Sequence, residues 1–561
     1  MQRHCLPAYK NKALSRQYNA FFILQQGGSQ YKLGLYLRFM RKLSDLEYLK
    51  LSKSRAFMYR LLMFFCAIPS FLMHLIRGIG YFFVKCYTAV RDELVDIGST
   101  FIKGNWAVKL SFLIFGFGNI FYGQVARGLL FLLFEVIFIG YMIVPSGGIY
   151  WLQKGNWFQT GSTVGTVQGD FVYDEIYDTD IWVPGDDSVK VMLYGLLTIM
   201  FIVAFVATWR MQVKQCRINM EIKAAGRRIR HAKDDLRALV DEEFHKTLLA
   251  LPLVGILVFT VLPIIYMVLV AFTSYDAAHD GYSNLFSWVG LENFNELLNF
   301  ETGGLGLAFG EILSWTLMWS FFATFTNYFL GMFVAMMINK KGIKFKKFWR
   351  TALVMTIAIP QFVSLLYVSK LFDSSGIIGS LLGQIPAVKE YLLANHYISL
   401  WDSPTVAKAL VITLNIWVGI PYVMLQATGI LMNIPADLYE SSRVDGASPW
   451  QQYIRITLPY MLFVTGPSLL TSFVGNLNNF NVIYLLSGGN PLNTDLGSVG
   501  GVSVGHTDLL ITWLYKMALG SAESKYYLAS VIGILIFFVC AALSLVVYNV
   551  IPSTKNEEDF Q

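Results

Sequence analysis

Eight long apolar runs recur along the chain, at residues 128–144, 191–208, 248–272, 312–338, 352–371, 406–431, 460–486 and 528–550. Each is long enough to cross the hydrocarbon core of a bilayer as a helix. The polar segments between them alternate in charge. Arg210, Lys214, Arg217, Lys223, Arg227, Arg228, Arg230, Lys233, Arg237 and Lys246 follow the second run, and Lys340, Lys341, Lys344, Lys346, Lys347 and Arg350 follow the fourth. Residues 145–190 instead carry seven acids and only Lys154 and Lys190, and residues 274–310 have no Lys or Arg. Basic loops stay on the cytoplasmic side, so the pattern predicts eight crossings with both termini inside. The fold class expected is an all-α polytopic membrane protein.

Residues 1–105 fit this pattern least. They are basic, and their apolar stretch at 58–89 is interrupted by Arg60, Arg77 and Lys85. Amphipathic helices on the cytoplasmic face are expected there; a hairpin of true spans is the alternative. Residues 109–123 are apolar with glycines and read as interfacial or re-entrant. The domain scheme is 1–105 as the interfacial region, 106–246 as a first helical pair with its loops, 247–551 as the core transmembrane domain, and 552–561 as a cytoplasmic tail.

Composition sharpens this picture. The 561 residues are 55% hydrophobic and 14% charged, whereas soluble domains carry about 25% charged residues. The net charge of +7 lies in loops, which suits topology and anionic lipid, not nucleic acid. Cys5, Cys66, Cys86, Cys216 and Cys540 fall in spans, the amino-terminal region or cytoplasmic loops, so no disulfide framework is expected. No cleavable signal peptide is evident.

No catalytic centre is legible. The chain has no G-x-x-x-x-G-K-[ST] phosphate loop, and its seven histidines show no metal-ligand spacing. Energy for any transport must come from a partner or an ion gradient. Glu135 lies inside the first run, and an intramembrane carboxylate is a functional candidate by default. Its plainer role is a hydrogen-bonded packing residue, since no second deep acid or histidine completes a relay.

Two polar groups inside the later runs are candidates for binding. In 472–486, Asn476, Asn478, Asn479 and Asn481 fall within two turns. Read as one helix, Phe473, Asn476, Phe480 and Ile483 share a face, with Asn479 beside it. Carboxamides suit hydroxyl-rich ligands, and aromatic neighbours suit a sugar ring; interhelical hydrogen bonding is the competing role. In the sixth run, Asn415, Trp417, Gly419, Pro421 and Tyr422 form the second group, and Gly-Ile-Pro is expected there either to break the helix and expose backbone groups to a cavity or to give a structural kink. Pro360-Gln361 is a weaker signal of the same kind.

Residues 433–459, NIPADLYESSRVDGASPWQQYIRITLP, are polar and helix-forming between two apolar runs. Pro435 and Asp437 suit a first helical turn, Asp445-Gly446 a break, and Ser448-Pro449 the start of a second helix. Such an exposed element suits docking to a partner.

Glu440, Gly446, Ile456, Leu458 and Pro459 resemble, in spacing, the EAA loop of ABC importer permeases, with Ser441 and Ser442 where that motif has alanines. The resemblance implies the type I ABC importer permease fold, with Glu440, Ser441, Ser442, Asp445, Gly446 and Ala447 seated in a cleft of an ATPase subunit. The chain from about 128 to 550 is similar to maltose/maltodextrin permeases of the MalF type, most densely from 340 onward. Carried over, sugar contacts fall on Gly419, Tyr422, Asn476 and Asn479, to which the local pattern adds Asn415 and Phe480. Gly475 replaces an expected aromatic, and Ile357 and Gln361 replace an expected tyrosine and serine, so cargo length or linkage is expected to differ from maltose.

Gly505, His506, Thr507 and Asp508 resemble an external loop that touches the solute-binding protein. The partners implied are a second homologous permease, two ATPase subunits holding the ATP and magnesium, an extracellular solute-binding lipoprotein and an oligosaccharide, in a bacterial plasma membrane. The large external insertion that some relatives carry is absent, since the loop after the third span is short. Rival readings are an ion-coupled secondary transporter using Glu135 and an ABC permease for another glycan.

Overall fold

The computed structural model describes residues 78 and 80–550, except 175, 283, 301–303, 341, 521 and 522. The described chain divides into two units. The first comprises residues up to Leu113 together with Cys216–Ala225. In it, residues 80–103 form a helix with Tyr81, Phe83, Tyr87 and Leu94 exposed. Asn105 accepts a hydrogen bond from the Val108 amide at 3.1 Å and caps the short helix Trp106–Leu110. Arg217 pairs with Asp96 and donates to the Thr100 hydroxyl at 2.9 Å. The expectation for residues 1–77 lies outside the described residues.

The second unit holds the remaining residues. Across the described chain, eight helices are long and apolar enough to span: Val125–Ile143, Ser188–Ala224, Phe244–Val270, Leu305–Asn339, Gln361–Gly383, Pro404–Leu431, Pro449–Leu477 and Tyr526–Leu545. They match the eight apolar runs in order, and the eighth helix continues to Val550. The 109–123 stretch is a turn followed by the short helix Phe117–Phe121. Its Phe115 amide donates to the buried Glu135 carboxylate at 2.9 Å. The acid inside the first span thus caps an irregular backbone segment that lipid could not satisfy.

Three spans contain a turn of π-helix: Leu257–Val261 in the third, Phe322–Thr326 in the fourth and Tyr453–Thr457 in the seventh. Two expectations about helix breaks are corrected. The sixth span runs unbroken through Gly-Ile-Pro. Pro421 removes one backbone donor, and packing along the fourth span holds the helix continuous across that loss. The seventh run does break, after Leu477, and resumes as Phe480–Leu486. Phe473, Asn476, Phe480 and Ile483 therefore do not share one helical face. At Pro360 a helix Lys346–Ala358 gives way to Gln361–Phe372, as the proline suggested.

The two loops that the charge rule places outside form one small domain. Thr163 bridges Ser287, and the Trp288 indole donates to the Gly155 carbonyl at 2.9 Å. Val164, Val191, Met192, Phe286 and Trp288 make its core. From it extends a hairpin, β1 (Asp170–Asp174) paired antiparallel with β2 (Thr179–Val183). Asp186 fastens the hairpin base, accepting from Lys154, the Thr166 amide at 2.9 Å and the Val167 amide at 3.0 Å.

Burial pushes the Asp186 carboxyl up, but the Lys154 ammonium and the two amides outweigh burial and hold it below the usual carboxylate range. Asp186→Ala should destabilise this domain by about 2 kcal/mol, the scale of hydrogen bonds to a charged group, read as faster amide exchange at 164–187. With the folded pKa below the unfolded value, the contribution is intact above the unfolded pKa of roughly 3.9 and is lost as pH falls through the folded one. The variant and the parent should therefore converge in strongly acidic buffer.

Candidate functional site

The asparagine cluster sits where the seventh span breaks. Asn478 and Asn479 leave helical geometry, with ψ of 26° and 80°. A break frees backbone amides and carbonyls that need partners, and side-chain carboxamides supply them. The Asn479 side-chain oxygen accepts from the Val482 amide at 3.3 Å and caps Phe480–Leu486. Its Nδ2 donates to Asn476 Oδ1 at 3.1 Å. Asn476 Nδ2 donates to the Thr324 hydroxyl at 2.9 Å, and the Trp319 indole donates to the Asn476 carbonyl at 3.1 Å. Asn478 reaches Cys540 Sγ at 3.6 Å.

Beside this network lies an open cavity of about 430 Å³, lined by Ser472, Gly475, Asn476, Asn478, Asn479, Phe480 and Asn481. No charged side chain lines it. Phe480 stacks on Tyr484 at 4.7 Å, and Tyr515 tilts against it at 4.8 Å. Fixed carboxamides beside an aromatic group suit a neutral, hydroxyl-bearing ligand.

The cavity brings together Asn476, Asn479 and Phe480, but not the sixth-span residues. Asn415 is buried, and its carbonyl accepts from Asn327 at 3.4 Å. Gly419 allows close packing: a Cβ there would lie 2.0 Å from Asn327 Nδ2. Tyr422 is 51% exposed and does not line the cavity. Thr324 and Asn327 both belong to the fourth span, so one helix contacts both groups. Sequence reasoning passed over that helix; its signal was Thr324, Thr326 and Asn327 at the middle of an apolar run.

The 433–459 segment forms the expected helix, turn and helix. Helix Ala436–Val444 ends before Gly446, whose φ of +79° suits glycine. Ser448 and Gln451 make a reciprocal capping box at the start of Pro449–Gln452. That second helix is not separate: it continues through the π turn into the seventh span. Gln452 donates to the Ser442 hydroxyl at 2.8 Å and the Tyr439 carbonyl at 3.2 Å, and the Tyr439 and Thr457 hydroxyls lie 2.9 Å apart. Glu440, Ser441, Asp445 and Gly446 are exposed, while Ser442 and Ala447 are half-buried.

The Gly505–Asp508 motif lies mostly inside the fold. Thr507 and Asp508 are fully buried, so their side chains present no surface to a partner. Asp508 pairs with Lys516 at 2.7 Å and accepts from the Gly505 amide at 2.8 Å and the Thr512 hydroxyl at 3.0 Å. Thr507 donates to the Asn490 carbonyl at 2.7 Å. Gly505 is buried too, which leaves His506 partly exposed. Burial, reinforced by nearby Lys408, pushes the His506 ring below its ordinary pKa.

The family described as "Binding-protein-dependent transport system inner membrane component" matches residues 327–556. The maltodextrin transport system permease protein MalC of Streptococcus pneumoniae is 29% identical, over 80% of this chain and 96% of that protein. MdxF of Bacillus subtilis, also named a maltodextrin permease, is 30% identical over 82% of this chain and 98% of its own. The galactooligosaccharides transport system permease protein GanP of Bacillus subtilis is 29% identical over 74% and 97%.

Thr324→Val removes the hydroxyl that holds Asn476 and should cost about 1 kcal/mol of stability, the scale of side-chain hydrogen bonds between membrane helices. Thr324→Ser should restore it. Thermal unfolding of the detergent-solubilised chain reads both; equal melting of Val and Ser variants would remove Thr324 from the network.

Proposed function

The chain belongs to the binding-protein-dependent transport system inner membrane component family, and on that premise we propose that it forms half of the translocation pore of an ATP-driven ABC importer for a neutral oligosaccharide, maltodextrin-like in class. A second homologous permease completes the pore. Two ATPase subunits bind and hydrolyse ATP-magnesium, and an extracellular solute-binding lipoprotein delivers the sugar. This chain contributes no catalysis. It is a multi-pass membrane protein, in this reading of a bacterial plasma membrane with both termini cytoplasmic.

One observation carries the reading: the exposed 436–448 element and the asparagine cavity are joined by a single helix. Ser442 and Tyr439 are bonded to the base of the seventh span, and Asn476 sits near its other end. The 19 residue steps from Thr457 to Asn476 correspond to about 28 Å of helix. Movement of an ATPase against Glu440, Ser441 and the Asp445–Ala447 turn is transmitted along that helix to the sugar site. Access then alternates as the spans rock between two states, each favoured by a different nucleotide condition of the ATPases.

In the site, Asn476 and Asn479 present carboxamides to sugar hydroxyls, and Phe480 offers a ring face. Tyr422 is an exposed aromatic of the sixth span available to the same cargo. Asn415 and Gly419 act behind it, through Asn327. The uncharged lining favours neutral glycans, which both maltodextrins and galactooligosaccharides are. At the outer face, Gly505, Thr507 and Asp508 shape the loop that presents His506 toward the binding protein.

Co-expression with candidate partners and reconstitution test the proposal. Recovery of a second permease and an ATPase, with hydrolysis stimulated by sugar-loaded binding protein, is expected. Recovery of this chain alone, with uptake driven by a proton or sodium gradient, would overturn it. Gly446→Pro cannot adopt the positive φ and loses the amide bond to the Arg443 carbonyl, so it should leave ATP hydrolysis but abolish uptake; normal uptake would remove Gly446 from coupling. Glu135→Gln keeps an acceptor for the Phe115 amide and should transport like the parent. Loss of uptake in an assembled Glu135→Gln complex would instead favour a proton-carrying role.

A further inference from the structure

The outer hairpin exposes more apolar surface than a free ribbon in water should. Both strands are exposed along their length, with only Asp174 partly covered. Phe171 is 64% exposed, and at the tip Ile176 and Tyr177 reach 87% and 72%. Phe171 faces Trp182 across the ladder, their rings meeting edge to face at 5.1 Å. A two-stranded hairpin is marginal alone, yet Asp186 and the domain beneath anchor this one firmly at its base. A rigid arm with an apolar tip marks an interaction site.

Charge identifies the partner's chemistry. Asp170, Asp174, Glu175, Asp178 and Asp180 lie within the hairpin, and no Lys or Arg occurs between Lys154 and Lys190. Those two lysines are engaged by Asp186 and Asp187. Among the described residues, none of the four hairpin aspartates makes an ion pair; Asp174 and Asp178 accept only from amides or Tyr173. The complement is an apolar patch ringed by Lys and Arg. Anionic headgroups would be repelled by these carboxylates.

We propose that the hairpin 170–183 is a docking arm for the extracellular solute-binding protein, inserting Ile176 and Tyr177 into an apolar depression bordered by basic side chains. The assignment rests on the importer reading. It also supplies the contact surface that the buried Thr507 and Asp508 side chains do not.

The test uses the full complex in nanodiscs, with the solute-binding protein that stimulates ATP hydrolysis by the parent complex as the probe. Ile176→Ser/Tyr177→Ser should weaken its binding by roughly tenfold or more, as for interface hot spots. Asp170→Lys/Asp180→Lys should slow association and flatten its salt dependence. Basal ATP hydrolysis without binding protein should be unchanged in both, which verifies assembly. Parental affinity and salt dependence in both variants, with stimulation intact, would overturn the docking arm and spare the importer reading. Absence of any stimulating binding protein for the parent complex would overturn both. Loss of binding to zwitterionic vesicles in the tip variant, with binding-protein affinity unchanged, would reassign the hairpin to lipid.

Discussion

The structure depends on one constraint: backbone polar groups inside a membrane must find partners within the protein. Where the chain stays helical, the helix provides them. Where it departs, side chains are placed to compensate. Glu135 does so for the turn at Phe115, and Asn479 does so for the restarted helix at Phe480. The same carboxamides that make the break tolerable then form the wall of a polar cavity. One set of atoms thus does both, and Asn476 bonds to Thr324 and Asn479 while still lining the cavity.

The connection between the two ends of the seventh span follows from continuity. The helix beginning at the Ser448 cap does not stop at the membrane surface but runs through a π turn into the span itself. Gln452 and Thr457 clamp the preceding helix to it. The exposed helix that carries Glu440 is therefore bonded directly to the base of the span. The compliant point lies at the opposite end, where Asn478 and Asn479 interrupt the helix. The seventh run is thus continuous at its exposed end and jointed beside the cavity.

Much of this was legible in the sequence because bilayers impose a coarse and reliable pattern. Span number and order follow from apolar length, and the surface helix-turn-helix follows from Ser448, Pro449 and Gly446. The breaks were harder. Gly419 and Pro421 looked disruptive, yet tertiary packing on Asn327 overrides the local preference. The run 472–486 looked like one helix because a break and its continuation have the same composition. Asp508 looked like a surface acid, and only the placement of Lys516 one helix later explains its burial. The pairing of the two outer loops through Trp288 is a long-range contact that no local signal announces.

The π turn in the fourth span has a consequence for phase. On a regular helix, residues five apart such as Trp319 and Thr324 point about 140° away from each other. The π turn Phe322–Thr326, which includes Thr324 but not Trp319, alters that phase, and both residues bond to Asn476. The side chains before and after the π turn therefore do not keep the register of a straight α-helix. The fourth span thus holds the asparagine network by where its irregularity is parked.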